Sequence, residues 1–265
     1  MYNYIDVHSH LHFKDFDNDR QEVLDLMNKD GIATIAIGTD YEESKKAIKL
    51  AEENENIYAT IGFHPADNSI EVFDYEKYLE LAKHKKVLAI GECGLDYFHH
   101  TKDKDEQVRL FKDHIRIACE VNKPLMLHVR PKEGMDAYND AIEILKEEKN
   151  LSAQVGKNPN LRGNFHFFVG DLETTRRVLE LGFTVSFSGV ITFVKDYIDV
   201  VKFVPLEMMH AETDSPYVAP VPFRGKRNSP LYVKSIVEKI AEIKGLNIDD
   251  VKVQLIKNAK EMFDI

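Results

Sequence analysis

VLAIGECGLDY (87–97), KDEQVRLFKDHIRIACEV (104–121) and PLMLHV (124–129) follow one another along the chain. They read as a β-rich run, a helical pattern and a second β-rich run. In the helical run Val108, Phe111, Ile115 and Ala118 recur on one face, the spacing that packs a helix against a sheet. A strand, a helix and a further strand in that order imply parallel strands, because the return crossing needs a helix's length of chain.

The same unit repeats in both directions. β-rich runs begin near Tyr4, Ala33, Tyr58, Val87, Pro124, Asn164, Thr184 and Met208, reading YIDVH, ATIAIG, YATIGF, VLAIGE, PLMLHV, NFHFFV, TVSFSG and MMHAET. Helical patterns separate them. Eight such units predict an α/β fold, a (β/α)8 TIM barrel, with a doubly wound sheet of eight strands as the competing arrangement. No interdomain linker or internal repeat interrupts the pattern, so residues 1–265 are expected to form a single barrel domain. Asn247, with Asp250 three residues on, predicts the N-cap of an extra C-terminal helix. SAQVGKNPNLRG (152–163) is rich in Asn, Gly and Pro and predicts a long loop at one barrel end.

Composition narrows the function classes. A hydrophobic fraction of 43% over 265 residues supports a sizeable core. No run approaches the roughly 18 apolar residues of a membrane span. Asp6 and His8 stand where a signal peptide carries a basic patch and an apolar block, so the expected location is cytoplasmic. Cys93 and Cys119 are too few for a disulfide framework and lack a CxxC spacing. A formal charge of −10 opposes a broad electrostatic grip on duplex DNA or an anionic membrane. It leaves room for nucleic acid held locally by metal ions and a few arginines. No obligate protein partner is evident.

Parallel barrels carry their active site at the C-terminal rim of the strands. Read strand by strand, the rim presents His8 and His10, Gly38-Thr39-Asp40, His64, Glu92, His128 with Arg130, His166, Ser186 with Ser188, and Glu212-Thr213-Asp214. Five of the eleven histidines fall there. Side chains at i and i+2 of a strand point to one side, so His8 and His10 can reach one ion together. The HxH spacing by itself also fits surface or packing histidines; the convergence of His128, His166, Glu92 and Asp214 on the same rim favours a metal centre. Four histidines and two carboxylates exceed the ligand count of one tetrahedral ion. With Glu92 bridging, two divalent cations are expected, one on His8, His10, Glu92 and Asp214 and the other on Glu92, His128 and His166. Imidazole and carboxylate suit zinc, manganese, cobalt or iron, with magnesium also open.

Each candidate has a plainer reading. Glu92 lies between apolar VLAIG and CGLDY and needs strong compensation to stay ionised, which favours a ligand over a buried ion-pair partner. Asp214 could merely cap the next turn; as ligand and general base to the attacking water it has a fuller role. His64, in GFHP, is read as a substrate-phosphate contact rather than a packed turn histidine. Arg130 is an anion-binding candidate, and Arg224, with Lys226 and Arg227 in FRGKRN (223–228), could hold phosphate oxygens or form a solvated loop. Asp96 and Tyr97 are expected to buttress the rim. His12, His84, His99, His100, His114 and His210 are given no catalytic part, although His99 and His100 could line a groove.

At this point the chain resembles the TatD family of metal-dependent deoxyribonucleases, amidohydrolase-like barrels. The match runs through DVHSHL, GFHP, AIGECGLDY, KPLMLHVR, the HFFVG around His166, ETDSPYVAP, RGKRNSP and the last helix with Asn258 and Phe263. The resemblance implies that His8, His10, Glu92, His128, His166 and Asp214 are metal ligands and that His64 lies at the substrate site. It also implies phosphodiester hydrolysis, as a 3′-5′ exonuclease on single-stranded DNA ends. Phe167, Phe168 and Val169 replace a smaller polar pair of the family, and PKEGMDAYND follows HVR in place of an acidic-alanine step, so the groove wall differs. The alternative is hydrolysis of a carbonyl substrate: a lactone, an amide or an aminoacyl-tRNA ester. Many relatives in the wider group bridge their metals with a modified lysine; Glu92 at that strand end favours the nuclease branch. A non-catalytic metal-binding or nucleic-acid-binding module fits poorly with a full ligand set that keeps open coordination positions.

Overall fold

In the computed structural model, residues 2–66, 72–99, 103–154 and 160–265 are described. Eight strands appear in the expected places: β1 (Tyr4–Ser9), β2 (Ile32–Ile37), β3 (Ile57–Ile61), β4 (Val87–Asp96), β5 (Leu125–Arg130), β6 (Gly163–Phe165), β7 (Thr184–Phe187) and β8 (Met209–Ala211). They pair in the order β1 to β8, each parallel to the next. A doubly wound sheet reverses its order at a switch point, and this sheet does not.

The seam between last and first strand closes just past β8. Asp214 N–H donates to His8 O at 2.8 Å, and His10 N–H donates to Ser215 O at 2.7 Å. Below these, Asp6 accepts hydrogen bonds from the Thr213 N–H and hydroxyl at 2.8 and 2.6 Å. The barrel is therefore joined at its rim by the segment that carries Asp214.

Helices α1 (Arg20–Asp30), α2 (Tyr41–Glu53), α3 (Tyr75–Ala82), α4 (Lys104–Val121), α5 (Ala137–Gln154), α6 (Leu172–Glu180), α7 (Ile198–Phe203) and α8 (Val233–Lys244) lie between or after the strands. All six residues of β2 are buried, as expected where helices cover a parallel sheet. The added helix α9 (Ile248–Phe263) starts at Asn247, whose side chain accepts from Asp249 N–H. Asn258 anchors it by donating to Leu206 O and Met209 O. Its Ala259 and Phe263 pack with Ile5, Ile35 and Met126. Among the described residues no helix is long and apolar enough to cross a membrane.

Three elements differ from the sequence reading. The buried face of α4 includes Gln107, Leu110 and His114 beside Phe111, Ile115 and Ala118, while Val108 is only half-buried. Helix α5 continues to Gln154, into the segment expected as loop; residues 155–159 lie outside the described residues, and Gly163 already belongs to β6. Strand β8 is shorter than MMHAET, because after Glu212, still bonded to Phe187 O of β7, the chain turns at Thr213 to Ser215 to meet β1.

One irregularity matters for the site. β4 shifts register between Ile90 and Cys93, at Glu92. There the end of β3 comes so close that a Cβ on Gly62 would stand 2.4 Å from Gly91 C and 2.6 Å from Glu92 N. Only glycine fits at 62 without moving the strand that presents Glu92.

Candidate metal centre

His8 and His10 leave the end of β1 toward the same point. Their Nε2 atoms lie 3.6 and 3.9 Å from Glu92 Oε2, and 3.6 and 3.5 Å from Asp214 Oδ1. These separations are too long for good hydrogen bonds. Donor atoms each about 2.1 Å from a tetrahedral ion stand roughly 3.4 Å apart, which is close to what is seen. His8 is completely buried and neither ring nitrogen has a hydrogen-bond partner. Such a ring normally costs about 1–3 kcal/mol, and a cation at Nε2 would give it a partner. His10 Nδ1 faces Ile37 O at 3.1 Å, so its proton sits there and the Nε2 lone pair is free for an ion.

The other Glu92 oxygen faces a different set. Oε1 lies 2.9 Å from His128 Nδ1, 2.8 Å from His166 Nε2 and 3.4 Å from His64 Nε2. Glu92 thus stands between two groups of imidazoles, one on each oxygen. Burial acts to raise its pKa, yet the fields of His166 and His64 and the hydrogen bonds from His128 and His166 hold it well below the usual carboxylate range. For His166, burial works against the charged ring, but Glu92 and Glu212 outweigh it and push the pKa well up. His8 goes the other way, kept neutral by burial and by the neighbouring His166. The residues present fit divalent cations: trios of His8, His10 and Glu92, of His8, His166 and Asp214, and of His64, Glu92 and His128 each bring their donor atoms within ion-binding reach.

His64 differs from the other four histidines. Its Nδ1 accepts the Ala66 N–H at 3.0 Å, and burial with the nearby His128 lowers its pKa, so the neutral ring carries its proton on Nε2. It turns an N–H, not a lone pair, toward Glu92. That suits a donor to substrate oxygen, although its position also makes a ligand trio.

Above the cluster opens a cavity of about 770 Å³, walled by Phe13, Thr39, His99, Arg130, Phe167 and Tyr217 among others. A family model described as TatD related DNase matches residues 5–264. The chain belongs to the TatD family. The uncharacterized metal-dependent hydrolase YabD of Bacillus subtilis is 38% identical over 98% of each chain. The uncharacterized metal-dependent hydrolase YcfH of Escherichia coli is 35% identical over 98% of this chain and 96% of the relative. The crystal structure of YjjV, a TatD homolog from Escherichia coli, superposes with a TM-score of 0.86 at 25% identity, covering 99% of this chain and 98% of that one. This TatD-family chain is a metal-dependent hydrolase.

All six expected ligands of this TatD protein meet at one centre, with His64 beside them. Arg130 lines the cavity and stacks on Phe98, its guanidinium 4.1 Å from the ring centroid. The basic loop after β8 turns elsewhere. Arg224 lies 3.9 Å over Phe193 and donates to Ala219 O, while Arg227 is held by Asp19 and packs over Phe16. Their chain positions beside strand eight gave no sign that local partners would take them. His99 does reach the cavity wall; His100 lies outside the described residues.

Two buried acids behind the expected ligands were given no role by the sequence reading. Asp6 clasps Thr213, and Glu212 accepts from Phe167 N–H and the Ser186 hydroxyl while standing 3.6 Å from His166 Nδ1. Asp6 is an acid inside an apolar run, the signal that singled out Glu92, and Glu212 is one of the rim residues of strand eight.

Proposed function

We propose that this TatD-family hydrolase cleaves phosphodiester bonds at the ends of single-stranded DNA, with two divalent cations that Glu92 and the histidines and Asp214 around it would hold. The observation that carries this reading is the division of Glu92, Oε2 toward His8 and His10, which also face Asp214, and Oε1 toward His128 and His166. Zinc, manganese, cobalt, iron and magnesium are all compatible with such donors. When bound, such ions supply Lewis-acid activation of water and neutralise charge on phosphoryl oxygens.

The protein's own groups account for the rest. Asp214, at the cavity floor, accepts the proton of the attacking water. His64 donates its Nε2–H to a phosphoryl oxygen and strengthens that bond as charge develops there. Arg130, presented by the Phe98 ring, pairs with a phosphate. Tyr217, half exposed, with Phe13 and Phe167, offers ring faces on which unpaired bases can stack. A stacked duplex has no free base faces to offer them, and the chain's net charge of −10 works against duplex binding. A cysteine count of only two, Cys93 and Cys119, accords with a cytoplasmic setting.

The test is a panel of chelator-stripped protein, single divalent ions, and end-labelled single- and double-stranded DNA and RNA, beside a lactone and an aminoacyl ester. Metal-dependent shortening of single-stranded DNA from its 3′ end is the expected result. Glu92→Ala and Asp214→Ala should each lose nearly all of it with circular dichroism unchanged. Turnover of the lactone or aminoacyl ester with DNA left intact would replace the nuclease reading by a carbonyl one.

A further inference from the structure

Behind His128 stands an acid outside the ligand set. Asp96 ends β4, and its Oδ2 lies 2.9 Å from His128 Nε2 and 2.8 Å from His99 Nδ1. Its Oδ1 is already committed, accepting the Phe98 and His99 N–H groups at 2.9 Å each. The backbone of Asp96 is clamped as well. Gln107 of α4 accepts the Asp96 N–H with Oε1 at 2.7 Å and donates Nε2–H to Asp96 O at 2.9 Å. That clamp explains why α4 buries a glutamine on its inner face.

We propose that Asp96 is a positioning residue of the metal centre, holding His128 by Nε2–H so that Nδ1 is the nitrogen left beside Glu92 for an ion. An ionised carboxylate only accepts, so Asp96 keeps a proton on Nε2, and the proton that Nδ1 shares with Glu92 is the one a cation would displace. His128 then presents Nδ1, whereas His166 presents Nε2, to the same Glu92 oxygen. A ligand histidine whose remote nitrogen donates to a carboxylate is oriented and made more basic, and loss of such a partner weakens metal binding about 10–100-fold. The same Oδ2 holds His99 at the cavity wall, so ligand and wall are set by one side chain. This inference rests on the metal reading above.

The decisive variant is Asp96→Asn. Two backbone N–H groups hold the Oδ1 position, so the new amide must keep its carbonyl there and turn its NH2 toward His128 Nε2. That donor stabilises the opposite tautomer and takes the Nδ1 lone pair away from the centre. Asp96→Ala removes the acceptor without adding a donor. Competition with a chelator for Zn2+ or Co2+ should show affinity falling about 10–100-fold in Asp96→Asn and less in Asp96→Ala, although the asparagine keeps the turn bonds that alanine loses. Imidazole 15N shifts should show His128 keeping its Nε2 proton in the Zn2+-loaded wild type and holding its proton on Nδ1 in chelator-treated Asp96→Asn. If Asp96→Asn fails to fold, the order of Asp96→Ala against wild type and the Zn2+-loaded wild type still decide: unchanged affinity, or a Zn2+-loaded wild type without the Nε2 proton, overturns the proposal. A wild-type chain that takes up no cation would instead overturn the metal reading itself. Wild-type uptake matched by Asp96→Asn would overturn this inference alone.

Discussion

His64 and His128 face the same Glu92 oxygen and differ in which nitrogen is tied up behind it. His64 gives Nδ1 to the Ala66 N–H and so points an N–H inward; His128 gives Nε2–H to Asp96 and so leaves Nδ1 for an ion. His64→Ala should therefore leave the bound metal content unchanged and lower kcat about 100-fold, the usual cost of losing one donor to a charge-developing oxygen. Metal analysis beside steady-state kinetics checks this, and loss of one ion equivalent would make His64 a ligand instead. The convergence of the six expected residues was legible because the β-rich runs place them on one rim. The placement of the proton on each ring was not, since it depends on hydrogen bonds to Ala66, Ile37 and Asp96 that no spacing encodes.

At the scale of the element, α4 and β3 are joined through His114. Its Nδ1–H donates to Leu110 O at 2.7 Å and its Nε2 accepts the Phe63 N–H at 2.9 Å, just before His64. Burial pushes its pKa down to about 4, partly offset by the Leu110 bond. The unfolded chain takes up that proton at an ordinary histidine pKa, so this contribution to stability is present above about pH 6.5 and lost as pH falls toward 4. Between pH 6.5 and 5 the loss is on the order of 2 kcal/mol. Buried His210, lowered to about 3, adds in the same direction. Urea midpoints at pH 7 and 5 should fall less steeply for His114→Gln than for wild type, both stripped of metal; equal slopes would rule the account out. The helix itself was legible from its period, but the inward face was not wholly so. Gln107 and His114 are polar residues with buried tasks that apolar spacing passes over, while Val108 packs on the core only partly buried.

For the whole molecule, the expected ligands come from β1, β4 and β5 and from the segments after β6 and β8, so distant parts of the barrel meet at one centre. Ion binding to the folded state alone stabilises it by about 2.7 kcal/mol at 100 times Kd. Removing metal with chelator should thus lower Tm by roughly 5–10 °C for a chain of this size. Scanning calorimetry of Glu92→Ala should show almost no such difference, and an equal drop there would point to some other ion site. The strand order was legible because every crossing needs a helix. Strand closure was not: nothing local in residues 212–215 says that their partner is β1, some two hundred residues earlier. The aromatic cavity wall was equally hidden, since Phe13 and Tyr217 come from loops without period.

That seam has a consequence for synthesis. His8 and His10 are made some two hundred residues before Asp214 and the segment that shuts the barrel. A nascent chain that has not reached Asp214 lacks both the seam and one of the six expected ligands, so the proposed site can be assembled only once that segment has been made.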